Sequence, residues 1–473
     1  MKMGRTNVMT KLQDTLDSID IKTVARKRLL ALFDENSFCE IDAFAKSEDK
    51  NAGVIAGYGT IQGSTVYAFS QDISADAGAV NVAHAKKIIK IYDLAIKTGS
   101  PVIAIFDSNG AKIDEGNAML SSYSEILMKS NKLSGVVVQI AVVLGTCGGT
   151  NALLASSADV LIMSKTAQMF MTAPFITSAN GDNTANAGCA DNAAASGLAS
   201  IVCENETEAI NQAAKIISML PLNNLSVAPF YDFCENEGAI NNIDFSDVNV
   251  YDLINAVADK DSVTELSKTY GAGIVTAFAT LGGSTVGIVA TQNKEFINKY
   301  ACEKTARFVK ICDSFNIPLI TFVDTDGFEI TGDVSILKAA AKLSSAYAEA
   351  TTVKVSVITG KAFGPAFITL ASKNSNADIT FAWPQALVGA LAPATAVEFL
   401  WNDRFVGTED ANATRKALQD EYIDTLASPF ELAKDGFIES VINPIDTRYA
   451  LISTIDMLAG KRESGLPKKH TNI

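Results

Sequence analysis

Gly63-Ser64-Thr65-Val66 and Gly283-Ser284-Thr285-Val286 are the same four residues, 220 positions apart. Outward from this tetrapeptide the match continues in order. Lys90-Ile91 followed by Asp93 recurs at the same offset as Lys310-Ile311 followed by Asp313. Pro101, Asp107 and Gly110 recur 217 positions on as Pro318, Asp324 and Gly327, and Gly145 and Gly149 recur 215 positions on as Gly360 and Gly364. Short insertions and deletions between elements account for the drift. An ordered series of this length marks an internal duplication.

Each half reads the same way. An alternating segment (Ile61 to Phe69; Leu281 to Ala290) predicts antiparallel strands joined at glycine. Apolar residues at three- and four-residue spacing predict a helix over Ala83 to Lys97 and over Cys302 to Phe315. Buried strands follow at Val102 to Phe106 and Leu319 to Val323, and again at Val136 to Leu144 and Lys354 to Ile358. Apolar strands alternating with helices predict an α/β fold with a mostly parallel, helix-covered sheet. Ligands bind at the carboxyl ends of such strands. The candidate site loops are therefore Ser108 to Gly116, Gly145 to Asn151, Thr325 to Gly332 and Gly360 to Ala366. The polar stretch Leu220 to Ser246 separates the halves, dividing the chain into 1–225 and 226–473.

Composition narrows the function. The chain has 473 residues, 48% apolar and 19% charged, which is globular. A net charge of −14 argues against nucleic acid as a partner. It leaves room for an anionic ligand held by a few local cations and helix N-termini. Seven dispersed cysteines without a CxxC pair argue against a zinc ribbon. Together with a polar Met1 to Asp20 they suit a reducing cytoplasm. The apolar run Gly135 to Gly145 is too short to span a bilayer.

The only histidines are His84 and His470, and HExxH, GxSxG and P-loop patterns are absent. Serine–histidine or histidine–metal chemistry would pass through His84 alone, which reads as a structural or helix-start residue. Backbone chemistry remains. A glycine turn between strand and helix presents N–H groups at a helix N-terminus. Such groups suit a developing oxyanion, for example a thioester enolate. One such turn is equally well a tight turn without a ligand. Two in equivalent positions, at Gly149 and Gly364, favour a duplicated oxyanion-hole enzyme. No GxGxxG follows the first buried strand, which argues against a dinucleotide-binding protein.

Further stretches carry a family resemblance. In the first half they are Ala25-Arg26-Lys27-Arg28-Leu29-Leu30, Ser70-Gln71-Asp72, His84-Ala85-Lys86-Lys87-Ile88 and Asp107 through Gly116. In the second half they are Phe315-Asn316-Ile317-Pro318-Leu319, Val323-Asp324, Gly327-Phe328, Tyr347-Ala348-Glu349-Ala350-Thr351 and Ala382-Trp383-Pro384. Near the end come Asp446-Thr447-Arg448, Met457 through Arg462 and Lys468-Lys469-His470. The chain resembles the carboxyltransferase subunits of biotin-dependent acyl-CoA carboxylases and decarboxylases over nearly its whole length.

The resemblance implies two tandem crotonase-like ββα-superhelix domains, with 1–225 on the acyl-CoA side and 226–473 on the biotin side. It implies carboxyl transfer between carboxybiotin and the α carbon of a short-chain acyl-CoA, through enolates in two backbone oxyanion holes and without a side-chain base. The substrate would be a coenzyme A thioester, and biotin would be carried on a separate protein or domain. Implied partners are a biotin carboxyl carrier protein and a biotin carboxylase or membrane decarboxylase subunits. The assembly would be a homo-hexamer, a trimer of dimers, with its site between the N half of one subunit and the C half of another. The location would be cytoplasmic, at a membrane only through partners. Carried over residue by residue, the acyl-CoA hole uses the N–H groups around Gly149 and Thr150, with Gly110, Ala111 and Lys112 beside it. The biotin-side hole uses those around Pro365 and Ala366, with Gly327, Phe328 and Gly364 beside it. Arg26, Arg28 and Lys112 would help the coenzyme A phosphates, and Ile368 would lie at the floor of the acyl pocket.

This chain departs from the family pattern at both holes. Gly148-Gly149-Thr150-Asn151 stands for Ala-Gly-Gly-Ala, and Gly364-Pro365-Ala366 for Gly-Gly-Ala. Proline has no N–H to donate. Asn109 and Lys112 replace Gly and Arg, and the loop after Phe328 is shorter and lacks a His. Ile368 replaces the Asp of propionyl-type members, leaving the acyl preference open. Two alternatives therefore stand beside the leading reading: a biotin-independent crotonase-like acyl-CoA enzyme, and a non-catalytic scaffold subunit.

Overall fold

The structure, a computed structural model, describes residues 9–13, 22–47, 50–181, 187–236, 238–245, 247–292, 295–405, 407–463 and 465. The Lys468-Lys469-His470 stretch lies outside these residues. The chain divides into two compact units, Met1–Val227 and Ala228–Ile473.

The repeated tetrapeptide is the turn of a β-hairpin and the start of its second strand. Val54–Ile61 pairs antiparallel with Ser64–Gln71, and Ile274–Leu281 with Ser284–Thr291. Gln62 and Gly63 have φ of 50° and 77°, and Gly282 and Gly283 have 58° and 81°. Two consecutive left-handed residues are what a tight hairpin turn matched to strand twist requires. A carboxylate clamps each turn. Asp34 accepts the N–H groups of Gln62 and Gly63 at 3.0 and 2.9 Å. Asp259 accepts those of Gly282 and Gly283 at 3.0 and 2.9 Å, and pairs with Arg448 at 2.7 Å.

From the hairpin each sheet continues in parallel. The first runs Cys39–Glu40, Val54–Ile61, Ser64–Gln71, Val102–Ser108, Gln139–Gly148, Val160–Ser164, Ile201–Cys203. The second runs Thr264–Leu266, Ile274–Leu281, Ser284–Thr291, Leu319–Val323, Lys354–Ile358, Ile379–Ala382, Ser440–Val441. The central strands Val102–Ser108, Leu319–Val323 and Lys354–Ile358 are buried along their length, as a sheet covered on both faces demands. The crossover helices are Val82–Thr98 and Lys299–Ser314, capped by Asn81 and Asn298 at equivalent positions of the repeat. Ala85, Ile88, Ile91, Tyr92 and Ala95 of the first helix belong to the core that holds Phe69 and Phe106. Those two rings meet edge to face at 5.8 Å. Burying one such side chain is worth about 2–3 kcal/mol. Among the described residues no helix is long and apolar enough to cross a membrane.

The second parallel strand of each unit differs from the sequence expectation. Gly145–Gly148, expected as loop, continues the strand Gln139–Gly148, because Thr146–Gly148 pairs with Gln168–Phe170. Lys361–Phe363 likewise forms a strand against Leu387–Gly389. Neither partner falls within the window that local periodicity reads.

A carboxylate sits at each of these strand exits. A Cβ on Gly145 would lie 2.1 Å from Asp107 Oδ1, and one on Gly360 would lie 2.2 Å from Asp324 Oδ1. The same oxygens accept the N–H groups of Thr146 at 3.2 Å and Lys361 at 2.9 Å. Asp107 is held by Arg28 at 2.9 Å, and Arg28 also pairs with Glu206 at 2.6 Å. Burial opposes the Arg28 charge, and Glu206 and Asp107 outweigh it, raising its pKa. The guanidinium of Arg28, expected at the coenzyme A phosphates, is buried and shared by two carboxylates. Asp324 is not paired with an arginine in this way. Burial pushes it above the usual carboxylate range, with Asp326 and Asp247 adding to the shift against the Lys361 N–H.

These carboxylates behave differently on substitution. D107A leaves Arg28 paired with Glu206 but removes the acceptor of the Thr146 N–H and of one guanidinium N–H, and costs about 1–3 kcal/mol. D324N keeps an oxygen for the Lys361 N–H, removes a half-buried charge, and leaves the melting temperature unchanged or raised; thermal unfolding of both variants checks the contrast. The hairpin clamps set the acid limb. The Gly63 N–H and the Thr60 hydroxyl lower the Asp34 pKa. At Asp259 burial raises it, but Gly283, Arg448 and other donors leave it below its usual 3.8. A lowered folded pKa contributes stability that is present above the unfolded value and lost as pH falls through the folded one. The melting temperature therefore drops as pH goes below about 4, and D259N flattens that drop, as measured by melts from pH 7 to 3.

Candidate active site

In the first unit the site begins where the bent strand ends. Gly149 has φ 61° and ψ −130°, and its N–H donates to Phe170 O at 2.9 Å. The helix Thr150–Ser156 starts on the next residue, and Ala152 N–H returns to Gly149 O at 3.1 Å. The N–H groups of Thr150 and Asn151 lead the helix, where no intrahelical acceptor exists. The second unit repeats this geometry. Gly364 has φ 50° and ψ −123°, and its N–H donates to Gly389 O at 2.9 Å. Pro365 opens the helix Pro365–Leu370 and offers no N–H. The first N–H of that helix belongs to Ala366.

The turn glycines are thus not donors to a ligand, because a neighbouring strand takes both N–H groups. Sequence reasoning placed the holes around Gly149 and Thr150 and around Pro365 and Ala366. In the structure Thr150 and Ala366 are the members with an N–H available.

A second arm approaches each turn from the preceding strand end. In the first unit a Cβ on Gly148 would lie 2.9 Å from Asn109 O. Gly110 has φ 118° and its carbonyl accepts Val80 N–H at 2.8 Å, while Lys112 N–H donates to Val80 O at 2.9 Å. A planar trans peptide points its C=O and N–H in opposite directions. With Gly110 C=O on Val80, the Ala111 N–H therefore faces away from it. Gly327 copies the arrangement, with φ 120° and its carbonyl on Ile297 N–H at 2.9 Å, so Phe328 N–H faces away from Ile297. Each unit offers one loop N–H, Ala111 or Phe328, and one helix-start N–H, Thr150 or Ala366. Sequence reasoning placed Ala111 and Phe328 beside the holes without assigning them donors. The repeat offset of 217 that relates Gly110 to Gly327 also relates these two residues.

The remaining expected residues spread more widely. Arg26 is paired with Glu40, which also takes Lys87 at 3.2 Å. Arg26, Lys87, Asp72 and Gly53 line one concavity of the first unit. Lys112 is half-buried beside Ala111, which is exposed. Ile368 is exposed on the helix after Pro365. His84 is buried and held neutral, its pKa lowered to about 3 by burial and by Lys87. It packs in the core, as the structural reading of this residue expects. Among the described residues no cluster of potential metal ligands occurs. The arrangement suits an anionic oxygen held by backbone dipoles.

Comparison with known proteins places the chain in a family. A model of the carboxyl transferase domain family matches residues 21–473. The chain is 37% identical to the methylmalonyl-CoA decarboxylase alpha subunit of Propionigenium modestum, covering 96% of this chain and 93% of that protein. It is 36% identical to the propionyl-CoA carboxylase beta chain of Saccharopolyspora erythraea, covering 96% and 90%. A crystal structure of the transcarboxylase 12S hexamer, with methylmalonyl-coenzyme A and methylmalonic acid bound, superposes with a TM-score of 0.91 at 32% identity, covering 100% of this chain and 99% of that one. The match along nearly the whole length makes this chain a member of the carboxyl transferase domain family.

Proposed function

We propose that this chain transfers a carboxyl group between a biotin carried on a separate protein and the α carbon of a short-chain acyl-CoA. The observation that carries the reading is the pair of backbone donor sets, one in each unit, with His84 buried and unreactive. A biotin held at the second unit would supply the carboxyl group when it arrives carboxylated and would take it up when it arrives free. Ala111 and Thr150 bind the thioester oxygen as it gains charge, and the N-terminus of the helix Thr150–Ser156 adds a favourable field. Phe328 and Ala366 are the donors of the biotin side, where Pro365, the repeat counterpart of Thr150, offers none. The exposed side chains of Ile330, Pro365 and Ile368 give that side an apolar border suited to a fused-ring ligand. Lys112 is the cation nearest the acyl-CoA loop, and Arg26 with Lys87 forms a second cationic group in the same unit.

The transcarboxylase 12S core is a hexamer. We extend that assembly to this chain. Ile113 and Leu120 in the first unit, and their repeat partners Ile330 and Leu337 in the second, leave large apolar side chains 69–90% exposed. Such a surface suits a subunit contact better than water. Biotin-dependent relatives support a biotin carrier as partner.

Purified protein incubated with methylmalonyl-CoA or malonyl-CoA loses the carboxylate when a biotinylated carrier is added, and not without it. Loss that is independent of biotin would move the assignment to a biotin-independent enzyme, the reading that the missing Pro365 N–H favours. No loss, with acyl-CoA bound, would point to a scaffold. The Pro365→Ala variant restores an N–H at the head of the second helix. One oxyanion donor is worth roughly 10²–10³ in rate. P365A therefore raises the biotin-dependent turnover number about tenfold or more, with KM for acyl-CoA unchanged.

A further inference from the structure

Three buried side chains join the two arms of the first oxyanion turn. Asn151 follows Thr150 in the helix. Its Nδ2 donates to Ser108 Oγ at 3.0 Å, and its Oδ1 accepts the Tyr123 hydroxyl at 3.2 Å. Ser108 Oγ in turn accepts the Gly110 N–H at 3.1 Å. Ser108, Asn151 and Tyr123 are 0%, 1% and 6% exposed. The bonds run from the helix Asn117–Leu133, through the neighbour of Thr150, to the peptide before Ala111. In the second unit Thr325 keeps the part of Ser108 and accepts the Gly327 N–H at 3.2 Å. The counterpart of Asn151 is Ala366, whose side chain has no hydrogen-bonding group. The family pattern also has alanine at the position of Asn151. The strap is a feature of the first turn of this chain.

We propose that Asn151 is a positioning residue that fixes the separation of the Ala111 and Thr150 N–H groups, and with it the acyl-CoA oxyanion hole. The inference rests on the carboxyltransferase reading for its catalytic consequence. Its physical basis is that a buried amide bonded on both sides holds its neighbours in one arrangement, because any displacement leaves polar atoms unpaired in the core. Alanine in its place leaves loop and helix joined by backbone packing alone. A displacement of about 1 Å between donors costs up to about 10²-fold in rate.

The test compares N151A, S108A and the double variant with the parent, all as full chains with acyl-CoA and biotinylated carrier. N151A lowers kcat roughly 10–100-fold while KM for acyl-CoA stays within about twofold. The double variant is no slower than the slower single one, because both substitutions cut the same strap. Amide hydrogens of 108–112 exchange faster in N151A, while the rest of the first unit keeps the parent rate. A folded N151A with the parent kcat, or one that changes only KM, overturns the proposal. If N151A does not fold, S108A, which removes a single hydroxyl, decides on the same two outcomes. A parent without biotin-dependent turnover overturns the carboxyltransferase reading instead. Exchange at 108–112 then still decides whether Asn151 holds the loop.

Discussion

Each unit depends on a carboxylate oxygen lodged where a side chain would begin. Asp107 Oδ1 lies against Gly145 and Asp324 Oδ1 against Gly360, within 2.1–2.2 Å of the place a Cβ would take. Only glycine admits that approach, and the N–H of the next residue is bonded to the same oxygen. Beyond it the chain enters a second pairing, Thr146–Gly148 with Gln168–Phe170 in one unit and Lys361–Phe363 with Leu387–Gly389 in the other. That pairing takes the N–H of the turn glycine. What remains at the helix start, Thr150 or Ala366, is a donor with no intrahelical acceptor.

The two copies have diverged around this common frame. In the first, Arg28 pairs with the carboxylate and is shared with Glu206, and Asn151, Ser108 and Tyr123 tie loop to helix. In the second, Asp324 stands without such an arginine, Ala366 replaces the amide, and Pro365 removes one N–H. A backbone oxyanion hole tolerates such change because its donors belong to peptides rather than to side chains. The side chains decide how firmly the donors are spaced and what may lie beside them. Duplication followed by this kind of divergence gives one scaffold two turns of like backbone with different side chains around them.

The glycine and aspartate positions of this frame are legible in the chain itself. Asp107 and Asp324, Gly145 and Gly360, and Gly149 and Gly364 all belong to the ordered repeat. Their physical role is not legible there. The contact of an aspartate with a glycine 36–38 residues later depends on how parallel strands align, and no local period encodes that register. The same holds for Arg28, 79 residues from its partner Asp107 and set in a basic motif that reads as phosphate-binding. A cation that is solvated and one that is buried between carboxylates look alike in a string of residues.

Periodicity, turn chemistry and self-similarity act over a few residues or by simple repetition. They are enough to establish the α/β alternation, the hairpin turns at Gly63 and Gly283, the duplication, the absence of histidine-based motifs and the family. Register and hydrogen-bond partnership are long-range quantities, set when strands far apart in the chain come to lie side by side. It therefore took the folded arrangement to establish that Gly149 and Gly364 give their N–H groups to neighbouring strands, that Ala111 and Phe328 turn theirs away from Val80 and Ile297, and that Asn151 bridges the two arms of one turn while Ala366 leaves the other unbridged.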